Sequence, residues 1–347
     1  MSHFFLKRSI ILFFIFFSFC GAQEPQFQYF KTSDGLTLRV AHWINSKPNL
    51  YSKTILFLEG RASFIEKNQE TIQNLLIQGH DVWAFDWRGQ GGSSRLLENS
   101  QKVHIDNYET YLKDLHQIVH QVVKPQARSP LIFLGVSFGG HMALRYALAH
   151  GEDLEGMILV SPMLDIHTNP FPYALARALT RTALFLGLGE IYAAGYGDYN
   201  PLKGVFEKNV TTQDRFRYEY QRELCINNMQ LVTGGPTYSW VNATFKSIDY
   251  IQQPGFLESI KVPTLILSAG LDKVVNNSRD KEFCRKMTNC RQKTYLNAYH
   301  NIPNEKNIIR EQFLTDAAHF LKNLDSYPSA ITPSRVENNI KADKALT

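Results

Sequence analysis

The run Leu131-Ile-Phe-Leu-Gly-Val-Ser137-Phe-Gly-Gly140 constrains this chain more than any other stretch. An apolar, strand-like segment enters Gly135-x-Ser137-x-Gly139 and leaves it into a helix-like stretch, residues 141–150, patterned by Met142, Leu144, Ala147 and Leu148. A serine at such a strand-to-helix turn is held at strained dihedrals, with small neighbours that let the flanking backbone pass, and its hydroxyl stands clear of the sheet. Those five letters also fall in ordinary glycine-rich loops. The strand before them and the helix after them are what make the segment a nucleophile elbow.

The flanking sequence supplies a sheet for that elbow. Residues 27–30 and 36–43 flank Ser33-Asp34-Gly35 and read as a hairpin with a glycine turn. Short apolar runs follow at 54–58, 81–85, 131–134 and 157–160, separated by amphipathic stretches at 70–78 and 108–123. Buried parallel strands alternating with helices explain that pattern most economically. A second set comes later: a strand around Leu265-Ile-Leu267, a helix bearing Cys284, a strand at 293–296 and a last helix at 307–324. Between the two sets, residues 164–255 lack the alternation and concentrate aromatics such as Tyr196, Tyr199, Tyr218, Tyr238 and Trp240. The expected organisation is a core of 23–163 and 256–327, a cap of 164–255 and a loose polar tail of 328–347.

Residues 1–22 have the basic, apolar and small-residue zones of a signal peptide, so the expected protein is exported, periplasmic or secreted, after cleavage behind Ala22. The apolar zone is shorter than a spanning helix needs, which makes a membrane anchor the weaker reading; lipidation at Cys20 is another alternative. The mature chain keeps Cys225, Cys284 and Cys290, an odd count that excludes a disulfide-dense scaffold and leaves a Cys284–Cys290 bridge open against idle thiols. No second Cys or His pair falls at zinc-ligand spacing. Net charge is +5, or about +3 once Lys7 and Arg8 of the leader are set aside. That excess is too small to argue for nucleic acid but is compatible with peripheral contact at an anionic membrane surface.

A serine hydroxyl needs a base to take its proton and a carboxylate to orient that base, and on this architecture the order is Ser, acid, His. Asp272 suits the acid, because Ala269-Gly-Leu-Asp272 follows a strand at the edge where open α/β sheets carry their functional groups. Asp249 lies inside the cap and Asp280 in a helix. His300, between the 293–296 strand and the last helix, reaches the same edge and suits the base. His141 follows the serine by one helical turn and points back along the helix, so its expected role is structural; His319, His104 and His80 read likewise. For the oxyanion, backbone N–H groups are expected from Phe138 and, in Glu59-Gly60-Arg61, from Arg61. Such a reaction calls for no metal and no organic cofactor.

Beyond the elbow, Gly60-Arg61, the run Asp86-Trp-Arg88-Gly-Gln-Gly91-Gly-Ser-Ser-Arg95-Leu-Leu, His104 with Asn107-Tyr108, and Gly234-Gly-Pro-Thr-Tyr-Ser-Trp240 carry a resemblance. Together they resemble the α/β-hydrolase superfamily, in particular its monoacylglycerol lipases and bacterial lysophospholipases, over about residues 27–324. The resemblance implies a mostly parallel eight-stranded sheet flanked by helices, with an inserted helical cap. It also implies a serine hydrolase that cleaves carboxylic esters of lipid-like substrates, lysophospholipids or monoacylglycerols. Two departures stand out: Glu59-Gly60 replaces the His-Gly pair of many lipases, and Asn301 follows His300 where glutamate is frequent, with Glu305 further on. A short-chain carboxylesterase or peptidase on the same fold, and a non-catalytic lipid-binding protein, are the competing readings.

Overall fold

A computed structural model describes residues 24–168 and 170–324; the leader and the 328–347 tail lie outside them. Eight strands form one sheet: β1 Gln26–Lys31, β2 Thr37–Trp43, β3 Thr54–Leu58, β4 Asp81–Phe85, β5 Leu131–Val136, β6 Gly156–Val160, β7 Thr264–Ala269 and β8 Cys290–Tyr295. Their order is β1-β2-β4-β3-β5-β6-β7-β8. Only β2 runs against its neighbours; every pairing from β4 across to β8 is parallel. This is the mostly parallel eight-stranded α/β sheet expected.

Every residue of β3 through β7 is buried, which is why these strands appear as unbroken apolar runs. Alternate side chains serve opposite cores. Leu56, Leu58, Leu131 and Phe133 face one of them, and Ile55, Phe57, Ile132 and Leu134 the other. The helices of the core are α1 Gln69–Ile77, α2 Tyr108–Gln117 and α3 Phe138–His150. Between β6 and β7 the chain leaves the sheet for α4 Tyr173–Phe185, α5 Arg215–Asn227, α6 Tyr238–Ile251 and the short α7 Phe256–Ser259. After β7 come α8 Asp280–Lys286 and α9 Asn307–Lys322. Helices α1 and α9 cover the Phe57 face; α2, α3 and α8 cover the Phe133 face, where Trp240 of α6 joins them.

Two elements differ most from the sequence-based boundaries. The 108–123 helix turns into a π-helix at Ile118–Val123. The last strand begins at Cys290 and ends before Leu296, because β8 is a polar edge strand, half exposed, with no apolar run to mark its start. Cys290 therefore opens a strand, facing the end of α8, and is bonded to Cys284 with a Cα–Cα distance of 5.3 Å; Cys225 is a buried free thiol.

Candidate active site

Ser137 occupies the tip between β5 and α3 with φ 52° and ψ −114°, a positive φ that a residue with a side chain adopts only under strain. The glycines around it are required by space. A methyl group on Gly139 would stand 2.0 Å from the Leu58 carbonyl oxygen, one on Gly135 2.7 Å from that of Gly139, and one on Gly140 2.9 Å from Pro162. The turn is pinned by Ser137 N–H donating to Val160 O at 2.9 Å, and by Met163 and His141 N–H groups donating to Ser137 O.

The expected acid and base arrive from the same sheet edge. Asp272 lies three residues past β7 and His300 five past β8. His300 Nδ1 meets Asp272 Oδ2 at 2.7 Å, while Asp272 Oδ1 accepts from the N–H groups of Val274 at 2.8 Å and Val275 at 3.0 Å. A carboxylate only accepts, so Nδ1 carries the proton and Nε2 is left as the basic atom. The Asp272 side chain is fully buried. Its three hydrogen bonds fix its plane and, through it, that of the imidazole.

Ser137 and His300 both line one cavity of about 850 Å³, together with Gly60, Arg61, Tyr196 and Trp240. Gly60 packs against the serine, since a methyl group there would meet Ser137 Cβ at 3.5 Å. Phe138 is the first residue of α3, so its N–H has no acceptor within the helix and lies at the positive end of the helix dipole. Arg61 follows Gly60 directly in the chain and Phe138 follows Ser137, so both expected donors lie beside the serine.

The loop carrying Arg61 is held by residues of the Asp86–Gly91 run, which the sequence marked by resemblance but not for this role. Gln90 Oε1 accepts from Ala62 N–H at 2.6 Å, Asp86 Oδ1 accepts from Ile65 N–H at 3.1 Å, and Trp87 Nε1–H donates to Glu59 O at 2.9 Å. Asp86 is itself anchored by Arg39 Nε at 2.7 Å. The Asp86–Gln90 run is therefore the underside of this loop, a role that no local signal reveals because its partners lie some 25 residues away. Glu59 is buried there, and desolvation together with Asp86 pushes its carboxyl well above the usual range. That shift is toward the neutral form, opposed by Arg39 and by the hydrogen bond from Asn68 Nδ2 at 3.0 Å.

The competing residues are placed elsewhere. Asp249 pairs with Arg177. Asp280 opens α8, buried, with Oδ2 accepting from Ser268 Oγ at 2.6 Å. His141 is buried between Met163 O at 2.8 Å and Ser247 Oγ at 2.6 Å, and burial lowers it to about 3, which suits a neutral structural imidazole. His104 Nδ1 bonds Thr237 Oγ1, tying the core to the inserted segment; His80 accepts from Lys53 N–H; His319 is exposed. Glu305 accepts from the N–H groups of Tyr299 at 2.7 Å, Lys306 at 3.1 Å and Gln213 at 3.2 Å, and so shapes the His300 loop.

Comparison with known proteins identifies the family. Residues 51–307 match the family model Hydrolase_4, described as serine aminopeptidase, S33. A probable lysophospholipase L2 of Haemophilus influenzae is 30% identical over 85% of this chain and 91% of its own length. The lysophospholipase L2 of Escherichia coli K12 is 26% identical over 80% and 82% respectively. Among solved structures, a soluble variant of the monoglyceride lipase of Saccharomyces cerevisiae in complex with a substrate analog superposes with a TM-score of 0.70 at 18% identity, covering 88% of this chain and 98% of that one.

Proposed function

The chain belongs to the Hydrolase_4 family, serine aminopeptidase S33, within the lysophospholipase and monoacylglycerol lipase group of the α/β-hydrolases; from that premise we propose that it is a lipid-ester hydrolase whose nucleophile is Ser137. The substrates are single-chain glycerolipids, lysophospholipids or monoacylglycerols. The observation that carries this reading is the convergence of Ser137 and the Asp272-oriented His300 on one roomy cavity with aromatic and aliphatic walls.

In the proposed mechanism His300 Nε2 takes the Ser137 proton as Oγ attacks the ester carbonyl, and the N–H groups of Arg61 and Phe138 hold the developing oxyanion. The imidazolium, steadied by Asp272, then returns the proton to the departing glycerol oxygen. Water repeats the cycle on the acyl-enzyme to release the fatty acid. A peptidase acting on free N-termini needs carboxylates to hold an ammonium. Among the described residues lining this cavity the one carboxylate is Asp198, which is exposed and already accepts from Asn99 Nδ2. That balance favours the ester reading.

Residues 164–255 act in this reading as a cap over the cavity, to which they contribute Tyr196, Tyr199, Tyr238 and Trp240. Phe185 and Leu186 at the end of α4 are 90% and 62% exposed, which supports peripheral contact with a membrane surface. The leader and the Cys284–Cys290 disulfide support an exported protein in an oxidising compartment, and the mass of the mature N-terminus tests that part. A fluorophosphonate probe and a panel of esters test the chemistry. Labelling lost in Ser137→Ala, with long-chain monoacylglycerol or lysophospholipid turned over by the wild type and reduced about 10⁴-fold or more in the variant, is the expected result. Turnover of acetate and butyrate esters alone overturns the lipid assignment, and no labelling of folded protein overturns the enzyme.

A further inference from the structure

The Arg61 side chain does something that its backbone N–H does not. Its guanidinium is held among cavity-lining groups, donating from one terminal nitrogen to Gly234 O at 3.1 Å and standing 5.7 Å from the Trp240 ring centroid and 6.0 Å from that of Tyr196. Among the described residues no carboxylate pairs with it, in contrast to Arg39, Arg88 and Arg217, each of which has at least two acidic partners. Burial pushes its pKa down and only tyrosines act in the other direction. A guanidinium stays charged even so, and a half-buried one that lines a cavity without a counter-ion is placed to meet an anion there. Lys67, Lys203 and Lys208 line the same cavity, also without an ion-pair partner among the described residues, against the lone carboxylate of Asp198.

A neutral substrate gives such a charge nothing to do. We propose that the Arg61 guanidinium is the headgroup subsite of this enzyme and receives the phosphodiester of a lysophospholipid, with Lys67, Lys203 and Lys208 drawing the anion toward it. The geometry suits that role, because Gly60 abuts Ser137 and the next residue's side chain reaches into the cavity from beside the ester-cleaving centre. A glycerol backbone joins ester and phosphate over a similarly short span. Planar, forked donors match phosphate oxygens bidentately, and the four N–H groups not committed to Gly234 are enough for that. The Trp240 and Tyr196 rings lie within cation–π reach of the fork.

This inference rests on the lipid-ester reading, and the experiment separates the two. kcat/KM is measured for 1-palmitoyl-lysophosphatidylglycerol and for 1-palmitoylglycerol, which share the acylated glycerol and differ in the anionic phosphoglycerol headgroup, in the wild type, Arg61→Met and Arg61→Lys. The expected result is a ratio of the two values that falls about 10- to 100-fold in Arg61→Met and less in Arg61→Lys. A strut tying the oxyanion loop to Gly234 lowers both rates together and leaves the ratio alone. An unchanged ratio in Arg61→Met therefore overturns the headgroup subsite while leaving the hydrolase intact, whereas a wild type that turns over neither lipid overturns the functional reading first. Should Arg61→Met fail to fold, Arg61→Lys and the salt dependence of the wild type carry the test. KM for the anionic lipid rises with ionic strength while that for the neutral one stays flat, and equal salt responses count against the proposal.

Discussion

At Ser137 a side chain is forced into a backbone conformation normally left to glycine, and three glycines around it have no room for even a methyl group. Such positions are legible in sequence because sterics leave few residues able to fill them. A buried carboxyl such as Asp280 is the opposite case: in sequence it is one aspartate of many, and its character comes wholly from what folds over it. Desolvation raises it to about 7, with Asp272 adding to the shift and only the Ser268 hydroxyl opposing it, while its Oδ1 has no partner. Because the folded pKa lies above the unfolded value, the folded protein binds a proton between about pH 4 and 7 that the unfolded chain does not. The group is thus no burden below that window, and stability is lost as pH rises through it. Asp280→Asn removes the loss. Relative to wild type the variant gains on the order of 2 to 3 kcal/mol between pH 5 and pH 8, read from denaturant midpoints at each pH. A difference that does not vary with pH shows instead that Asp280 titrates as an ordinary aspartate.

Elements were readable from the sequence in proportion to how completely they are buried. The five central strands announced themselves as apolar runs, and the Ser-acid-His order could be laid along them because all three loops leave the same sheet edge. β8 slipped by three residues because an edge strand of Arg, Gln, Lys and Thr carries no such run. Long-range support of the loop carrying Arg61 was invisible for a different reason: the hydrogen bonds between Gln90, Asp86 and Trp87 and residues 59–65 depend on the parallel packing of β3 beside β4, which no local pattern encodes. Gln90 is the sharpest of these, a fully buried acceptor for the N–H of Ala62, whose φ of 61° keeps the loop bent beside Arg61. Gln90→Ala frees that bend without touching the cavity. The expected result is kcat lowered about 10- to 100-fold at nearly constant KM, since an oxyanion donor acts in the transition state more than on bound substrate. An unchanged kcat with a raised KM assigns the loop to binding instead.

For the whole molecule, the inserted segment is where sequence carried least. Its aromatics were visible, but not which of them matter: Tyr196, Tyr199 and Trp240 line the cavity, whereas Phe216 and Tyr220 do not. Phe216, Tyr220 and Trp240 all sit on helices, and a 3.6-residue period shows that a helix has an apolar face without showing which cavity that face meets. The cysteines posed a similar question, since a six-residue spacing permits a bridge without requiring one, and only the meeting of α8 with the start of β8 brings the pair together. That bridge closes a short loop at the far edge of the sheet from the β1–β2 hairpin, so its effect on the unfolded chain is small, about 2 kcal/mol. It also lies on the strand from whose end the His300 loop departs. The two ideas separate cleanly in the double variant Cys284→Ala/Cys290→Ala. If the bridge acts only through chain entropy, the variant melts a few degrees lower, becomes insensitive to reductant, and keeps wild-type kcat/KM at 25 °C. If β8 depends on the bridge to hold the His300 loop, kcat falls at temperatures well below melting, in the variant and in the reduced wild type alike. The Asp272–His300 hydrogen bond, the three N–H donors on Glu305 and the full β7–β8 pairing hold that loop independently of the cysteines. The entropic outcome is therefore the one expected.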